Sequence, residues 1–301
     1  MQPTSWIWIN GKLIRWEDAT LHFLTHTLHY GTGVFEGIRC YETDEGPAIF
    51  RLKEHIERLF KSGEYLDMEL PYTQQQIEDA CTEVIQANKL PSAYIRPIVF
   101  YGYGKMGLDP AGANLNVAIA AWPWGPYLGE EELEKGVTAI IAKTRRFSGN
   151  HNHAKITGNY FNSMKAHNEA KKKGCHEAIM LDEHGFVAEG PGENIFIVKK
   201  GIILTPTRSA ILQGITRDSV MNIARDRGYK VKERKITVRD LKNAHEAFFT
   251  GTAAEITPIR VIDKKEIGNG SAGGVTKELQ LAFFAIVKGK NPVYEDWLTF
   301  C

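Results

Sequence analysis

Apolar and polar positions alternate in step with strands over parts of this chain and with helices over others. Trp6 to Trp16 reads as a β-hairpin, because Asn10-Gly11 separates Trp-Ile-Trp-Ile from Lys-Leu-Ile-Arg-Trp and supplies a two-residue turn. A second hairpin is expected from Gly37 to Leu52, turning at Gly46-Pro47. Lys53 to Leu66 looks helical, with Ile56, Leu59 and Phe60 on one face. Thr73 to Lys89 is the clearest helix. Ile77, Ala80, Cys81, Val84 and Ile85 form its apolar stripe, and Thr73 with Gln76 makes a capping-box pattern. Strands follow near Ala93–Tyr101 and Val117–Trp122.

Pro123, Gly125, Pro126 and Gly129, with an acidic run behind them, interrupt regular structure and mark a linker. The second half predicts a strand at Val137–Ala142 and a helix from Tyr160 to Lys173 stopped by Gly174. Strands are expected near Glu177–Leu181, Phe186–Ala188, Ile195–Val198, Ile202–Leu204 and Ala247–Phe249. Helices are expected at Thr216–Arg227 and Thr276–Val287. Without regular βαβ alternation, the class is mixed α/β (α+β) with largely antiparallel sheets. The expected division is a small domain over 1–122, a linker over 123–135 and a large domain over 136–301.

Composition narrows the partners. With 37 basic and 36 acidic residues, a formal net charge of +1 argues against nucleic acid, since phosphate neutralisation needs a basic surplus. Lys171-Lys172-Lys173, the one dense basic tract, suits the negative end of a helix dipole. No apolar run reaches membrane-spanning length, and the N-terminus lacks a signal-peptide pattern. Cys40, Cys81, Cys175 and Cys301 form no C-x-x-C pair, so no zinc or dithiol site is expected, and a reducing cytoplasm fits.

Candidate chemistry sits in short segments that are weak singly. There is no P-loop, no G-x-S-x-G and no H-E-x-x-H. His22, His26 and His29 could share a helical face, but no acidic or cysteine partner completes a metal set, which favours surface or structural histidines. Gln213-Gly214-Ile215-Thr216-Arg217 opens a helix and is a candidate anion site, or only a cap. Phe249 to Ala254 sets small residues and hydroxyls after a strand. Glu189 to Asn194 gathers two carboxylates and an amide around Gly-Pro-Gly, and Lys155 precedes a helix.

In order, the blocks Tyr30–Arg39, Ala93–Pro97, Lys155–Tyr160, Glu189–Asn194, Gly214–Arg217 and Gly251–Thr257 resemble the class IV pyridoxal-phosphate aminotransferases. Within that family the chain is most similar to the bacterial and archaeal branched-chain enzymes, from about Trp6 to Phe284. The resemblance implies the two-domain fold type IV architecture of D-amino-acid aminotransferase. It implies transfer of the amino group of leucine, isoleucine or valine to 2-oxoglutarate through pyridoxal 5'-phosphate.

By the same resemblance, Lys155 holds the cofactor covalently and shuttles a proton. Glu189 keeps the ring nitrogen protonated. Tyr160 binds the phenolic oxygen, and Leu212 belongs to the cofactor site. Ile215, Thr216, Arg58 and Thr252 take the phosphate, with Gly192 close by. On the substrate side, Phe35, Met106, Leu108, Trp124 and Tyr127 form an apolar wall, and Gly37 lines the pocket. Arg96 with Tyr30 takes a distal carboxylate, and Tyr94 with the backbone of Thr252 and Ala253 takes the α-carboxylate. The family pocket is completed by a second subunit, so a homodimer is the minimum unit and a hexamer, as a trimer of dimers, is compatible. The Met106–Leu108 loop is expected to cross that boundary.

Ile156-Thr157 stands where many relatives carry small residues, and Pro191 replaces a frequent small residue. The C-x-x-C pair of animal mitochondrial relatives is missing. D-amino-acid aminotransferase, R-selective amine transaminase and aminodeoxychorismate lyase share the Lys155 and Glu189 roles and stay open as alternatives, as does a non-catalytic scaffold. The Tyr94-x-Arg96 pair and the Gly251–Thr257 block favour the branched-chain group.

Overall fold

A computed structural model describes residues 2–125, 129–147 and 149–301. The chain divides into two compact units. The first comprises Met1–Trp124, Ala154–Asn159 and Ala285–Cys301; the second comprises Gly125–His153 and Tyr160–Phe284. The division expected from sequence puts 154–159 and 285–301 in the large domain. Contacts join both to the first unit instead: Val34 bridges Ile156, and strand Leu298–Phe300 pairs with Gly46–Phe50.

Among the described residues the first unit carries an eight-stranded antiparallel sheet. Its order is Leu298–Phe300, Gly46–Phe50, Ile38–Thr43, Ala93–Tyr101, Leu115–Trp122, Trp6–Ile9 and Lys12–Arg15, with Gly33–Phe35 also on Ala93–Tyr101. Phe35 pairs with Ile98 and Ile38 with Ile95, one unbroken register that puts Glu36 opposite Pro97 and Gly37 opposite Arg96. The ladder lapses there because proline has no N–H to donate. Strand alternation then sorts side chains by face. Val34, Ile38, Cys40, Ile95 and Val99 enter the apolar core with helices Leu52–Glu64 and Gln74–Asn88. Phe35, Gly37, Tyr94 and Arg96 take the other face.

The helix expected from Thr73 starts as its sequence demands: the Thr73 hydroxyl accepts from Gln76 N and the Gln76 side chain from Thr73 N. The hairpin expected to turn at Gly46-Pro47 turns instead at Asp44-Glu45, because Thr43 Oγ1 donates to Gly46 O at 2.7 Å and accepts from Glu45 N at 3.2 Å.

The second unit holds a nine-stranded sheet among the described residues, ordered Val187–Glu189, Glu177–Leu181, Val137–Ile141, Glu255–Ile262, Glu246–Gly251, Asn194–Lys199, Ile202–Thr205 and Lys230–Glu233, with Lys265–Glu266 on Glu255–Ile262. Three pairings are parallel and the rest antiparallel. Phe196 stacks on Phe248 with ring centres 5.1 Å apart. Helices Tyr160–Lys172 and Ile215–Asp226 lie where periodicity predicted them. The expected linker contains a helix, Glu130–Lys135, in which Lys135 Nζ reaches Glu131 at 2.7 Å. No helix of the described residues is long and apolar enough to cross a membrane.

Candidate active site

In the first unit Lys155 lies on a short segment laid along strand Gly33–Phe35. Phe35 N donates to Lys155 O at 3.1 Å, and Lys155 N donates to Ser62 Oγ at 3.0 Å. The two bulky residues after the lysine fasten this segment. Ile156 is buried in the core, and Thr157 Oγ1 donates to Gly31 O at 2.7 Å and accepts from Gly33 N at 3.2 Å. Lys155 Nζ lies 5.0 Å from the centre of the Phe35 ring.

The guanidinium carbon of Arg96 is 4.7 Å from the same ring centre and 5.3 Å from that of Tyr94. Arg96 Nη2 donates to Tyr94 Oη at 3.1 Å, as two side chains on one strand face should. Among the described residues no carboxylate pairs with Arg96, and its Nε is buried without a partner. Tyr94 packs on Trp122 and Trp124, ring centres 5.3 and 4.9 Å away. Gly37 is required beneath it, since a Cβ there would fall 1.9 Å from the Tyr94 hydroxyl. Tyr30, Met106 and Leu108 are exposed, and Tyr127 lies outside the described residues.

On the opposite face Glu36, between strands Gly33–Phe35 and Ile38–Thr43, is buried. Arg58 grips Glu36 through Nε to Oε1 at 2.6 Å and Nη2 to Oε2 at 2.8 Å, and His55 Nδ1 reaches Oε2 at 2.7 Å. Burial opposes the charge on Glu36, yet the Arg58 and His55 contacts hold its carboxyl far below the usual range. Burial holds His55 below its ordinary value. The sequence reading gives Arg58 a role and Glu36 none. A signal existed: alternation places Glu36 on the core face between Val34 and Ile38, and a buried charge needs a partner.

In the second unit Glu189 ends strand Val187–Glu189 and is buried. Arg146 Nε lies 2.6 Å from Oε1, Asn194 Nδ2 donates to Oε2 at 3.0 Å, and Leu212 N donates at 3.2 and 3.3 Å. Asn194 also donates to Leu212 O at 2.9 Å, so one amide ties the carboxylate to the Leu212 backbone. Asn194 closes the Glu189–Asn194 block already conspicuous in the sequence, whereas Arg146 carries no local motif of its role and only the fold reveals it.

Helix Ile215–Asp226 begins at Gly214 with no capping side chain, and a Cβ on Gly214 would lie 2.0 Å from Asn194 Oδ1. Its first turn, with Ile215 and Thr216, offers uncapped N–H groups. Thr252 and Ala253 form the turn between strands Glu246–Gly251 and Glu255–Ile262. Tyr160, Ser163, Met164, His167, Asn168, Pro191 and Gly192 line a cavity of about 330 Å³. Behind Gly192, Glu193 Oε2 accepts from Gly192 N at 3.1 Å, and His167 Nδ1 lies 3.0 Å from Glu177 Oε1. Burial pushes Glu177 up to about 7; burial and the neighbouring Glu177 charge push Glu193 up to about 8.

Comparison with known proteins bears on this arrangement. Residues 33–262 match the family described as amino-transferase class IV. A branched-chain-amino-acid aminotransferase of Pseudomonas aeruginosa is 50% identical over 298 residues, covering 97% of this chain and 96% of its own length. The crystal structure of the Escherichia coli branched-chain amino acid aminotransferase superposes with a TM-score of 0.96 at 44% identity, over 98% of this chain and 99% of that one. The branched-chain amino acid aminotransferase of Thermobaculum terrenum, solved in its PLP-form, superposes at 0.92 and 34% identity, over 98% of each chain. The fold is the type IV aminotransferase fold. With matches of this extent, the chain belongs to the class IV aminotransferases.

Proposed function

We propose that this chain is a branched-chain amino acid aminotransferase, moving the amino group of leucine, isoleucine or valine reversibly to 2-oxoglutarate with pyridoxal 5'-phosphate. The observation that carries it is the sharing of one ring. Lys155 Nζ and the Arg96 guanidinium both lie within 5.0 Å of the Phe35 centre, so an amine, a cation with no acidic partner among the described residues and an apolar wall meet on one sheet face.

The residues present fit the cofactor. An uncapped helix start and Arg58 suit a phosphate, and a buried carboxylate suits a ring nitrogen. Ile215, Thr216, Arg58 and Thr252 would hold the phosphate, Glu189 the ring nitrogen and Tyr160 the phenolic oxygen, with Gly192 and Leu212 beside the ring. When bound, the cofactor supplies an electron sink for the pair left by the substrate's Cα–H bond. Lys155 Nζ takes the Cα proton and returns it. Arg146, Asn194 and Leu212 N keep Glu189 oriented. Phe35, Trp124, Tyr127, Met106 and Leu108 exclude water from the aliphatic side chain, with Gly37 making room. Tyr94 and the Thr252–Ala253 backbone take the α-carboxylate, and Arg96 with Tyr30 the distal one of glutamate.

A homodimer is the minimum unit of this reading, supported by exposed apolar side chains on the first unit that include Phe23, Leu28 and Leu108. A cytoplasmic setting is supported by four cysteines that are all free.

The deciding experiment is a panel of amino donors with 2-oxoglutarate, run beside Lys155→Ala. Turnover of L-leucine, L-isoleucine and L-valine is expected, together with a visible cofactor absorbance that the variant loses. Preference for D-amino acids or R-amines, or a Lys155→Ala variant that keeps both properties, overturns the proposal.

A further inference from the structure

We infer that His26 is a positioning residue that holds the substrate-wall loop in place and so sets the aliphatic pocket. The inference rests on the reading of Met106, Leu108 and Tyr30 as substrate-side residues. His26 opens the short helix His26–Tyr30 and is fully buried. Its Nε2 lies 2.7 Å from Gly107 O, and its Nδ1 lies 2.7 Å from Thr32 Oγ1. A carbonyl can only accept, so Nε2 carries the proton and donates it.

The base of the loop is held from outside, by His26 N to Gly102 O at 3.0 Å, Asn116 Nδ2 to Asn114 O at 3.0 Å and the Tyr103 ring on His22 with centres 4.3 Å apart, but its tip has little else to hold it. Gly102 N donates to Asn114 O, Asn114 N to Tyr103 O and Lys105 Nζ to Asp109, all within the loop itself. Among the described residues, the His26 bond is the one hydrogen bond joining residues 104–108 to anything outside that loop. Gly107 also has φ of +112°, a backbone state that other residues rarely adopt, so its carbonyl direction depends on glycine and on the histidine together. Met106 and Leu108 flank this carbonyl. The Tyr30 ring packs on His26 with centres 4.6 Å apart. Three residues of the substrate side therefore rest on one imidazole, Tyr30 directly and Met106 and Leu108 through the Gly107 carbonyl between them.

The geometry also says which replacement should rescue. A Gln amide nitrogen reaches about as far as Nε2 and can keep the bond to Gly107. An Asn amide reaches only as far as Nδ1 and loses it. Losing a hydrogen bond of this kind costs about a factor of five to ten in an equilibrium.

The test compares His26→Asn and His26→Gln as holoenzymes. In His26→Asn, amide exchange of residues 103–109 should speed up by about five- to tenfold. The KM for leucine should rise by a similar factor, with kcat within about twofold and the cofactor absorbance retained. His26→Gln should stay near wild type in all of these. Unchanged loop exchange in His26→Asn overturns the inference, and faster exchange with an unchanged leucine KM overturns the specificity role. Exchange is read without substrate, so its outcome stands even where the substrate panel contradicts the proposed activity. If His26→Asn does not fold, imidazole nitrogen NMR of the wild-type protein decides: a slowly exchanging Nε2–H supports the inference, and a proton on Nδ1 alone overturns it.

Discussion

Arg58 holds Glu36 with two parallel hydrogen bonds, Nε to Oε1 at 2.6 Å and Nη2 to Oε2 at 2.8 Å, behind the sheet whose other face carries Phe35 and Arg96. Glu36 is fully buried and Arg58 nearly so. Such a pair adds little net stability when formed but is costly to break, because one charge is left buried alone. Glu36→Gln should therefore lower stability by about 3–5 kcal/mol in a denaturant titration. It should also weaken pyridoxal phosphate binding to the surviving folded protein, since Arg58 loses the partner that aims it. Unchanged cofactor affinity would mean that Arg58 does not serve the phosphate.

The donors gathered on Glu189 lead to the second prediction. If Glu189 has the proposed role, Glu189→Gln keeps the shape but removes the charge that would favour a protonated ring nitrogen, so the rate should fall by a few hundred-fold, or roughly 3–4 kcal/mol. Single-turnover kinetics with leucine reads it. A loss below about tenfold assigns that role elsewhere.

Arg96 has no carboxylate partner among the described residues and lies among Phe35, Tyr94 and Trp122. An arginine kept to pair with an acid on a neighbouring strand is not what the sheet contains. A charge-assisted hydrogen bond to a distal carboxylate is worth roughly 1.5–3 kcal/mol. Arg96→Leu should thus cut kcat/KM for glutamate about ten- to a hundredfold while sparing leucine, as stopped-flow measurement of each half-reaction will tell. An equal fall for both substrates sinks this account of dual recognition.

The raised carboxyls of Glu177 and Glu193 make stability depend on pH in a stated direction. Around them stand His167, Glu189 and the Gly192 N–H. Unfolded, both titrate near 4.5; folded, near 7 and 8. Between those limits the native state binds more protons, so stability falls as pH rises from about 4.5 and levels off above about 8. Glu36 and Asp240 are depressed, and their contribution is lost only on acidification below the ordinary carboxylate range. Glu193→Gln mimics the protonated acid and should flatten the decline in denaturant midpoint between about pH 5.5 and about pH 8. Parallel curves for variant and wild type would show that Glu193 is already ionised there.

Much of the architecture is written in short-range order. Strand alternation around Ala93–Tyr101 and the Thr73–Gln76 cap with its apolar stripe act within one or two turns of chain, so they are legible without the fold. The ordered blocks around Lys155, Glu189 and Gly214 identify the family for the same reason: each is a short contiguous run of residues.

What the tertiary structure alone decided is which distant residues meet. Arg146 reaches Glu189, Asn194 anchors Leu212, and His26 reaches Gly107 across 81 positions. The segment Ala154–Asn159 joins the first unit because Val34 pairs with Ile156, although the chain on both sides of it belongs to the second. No periodicity encodes such pairings. Periodicity says which face of an element is apolar, and only packing says which other element covers that face and which polar groups, buried with it, must find each other.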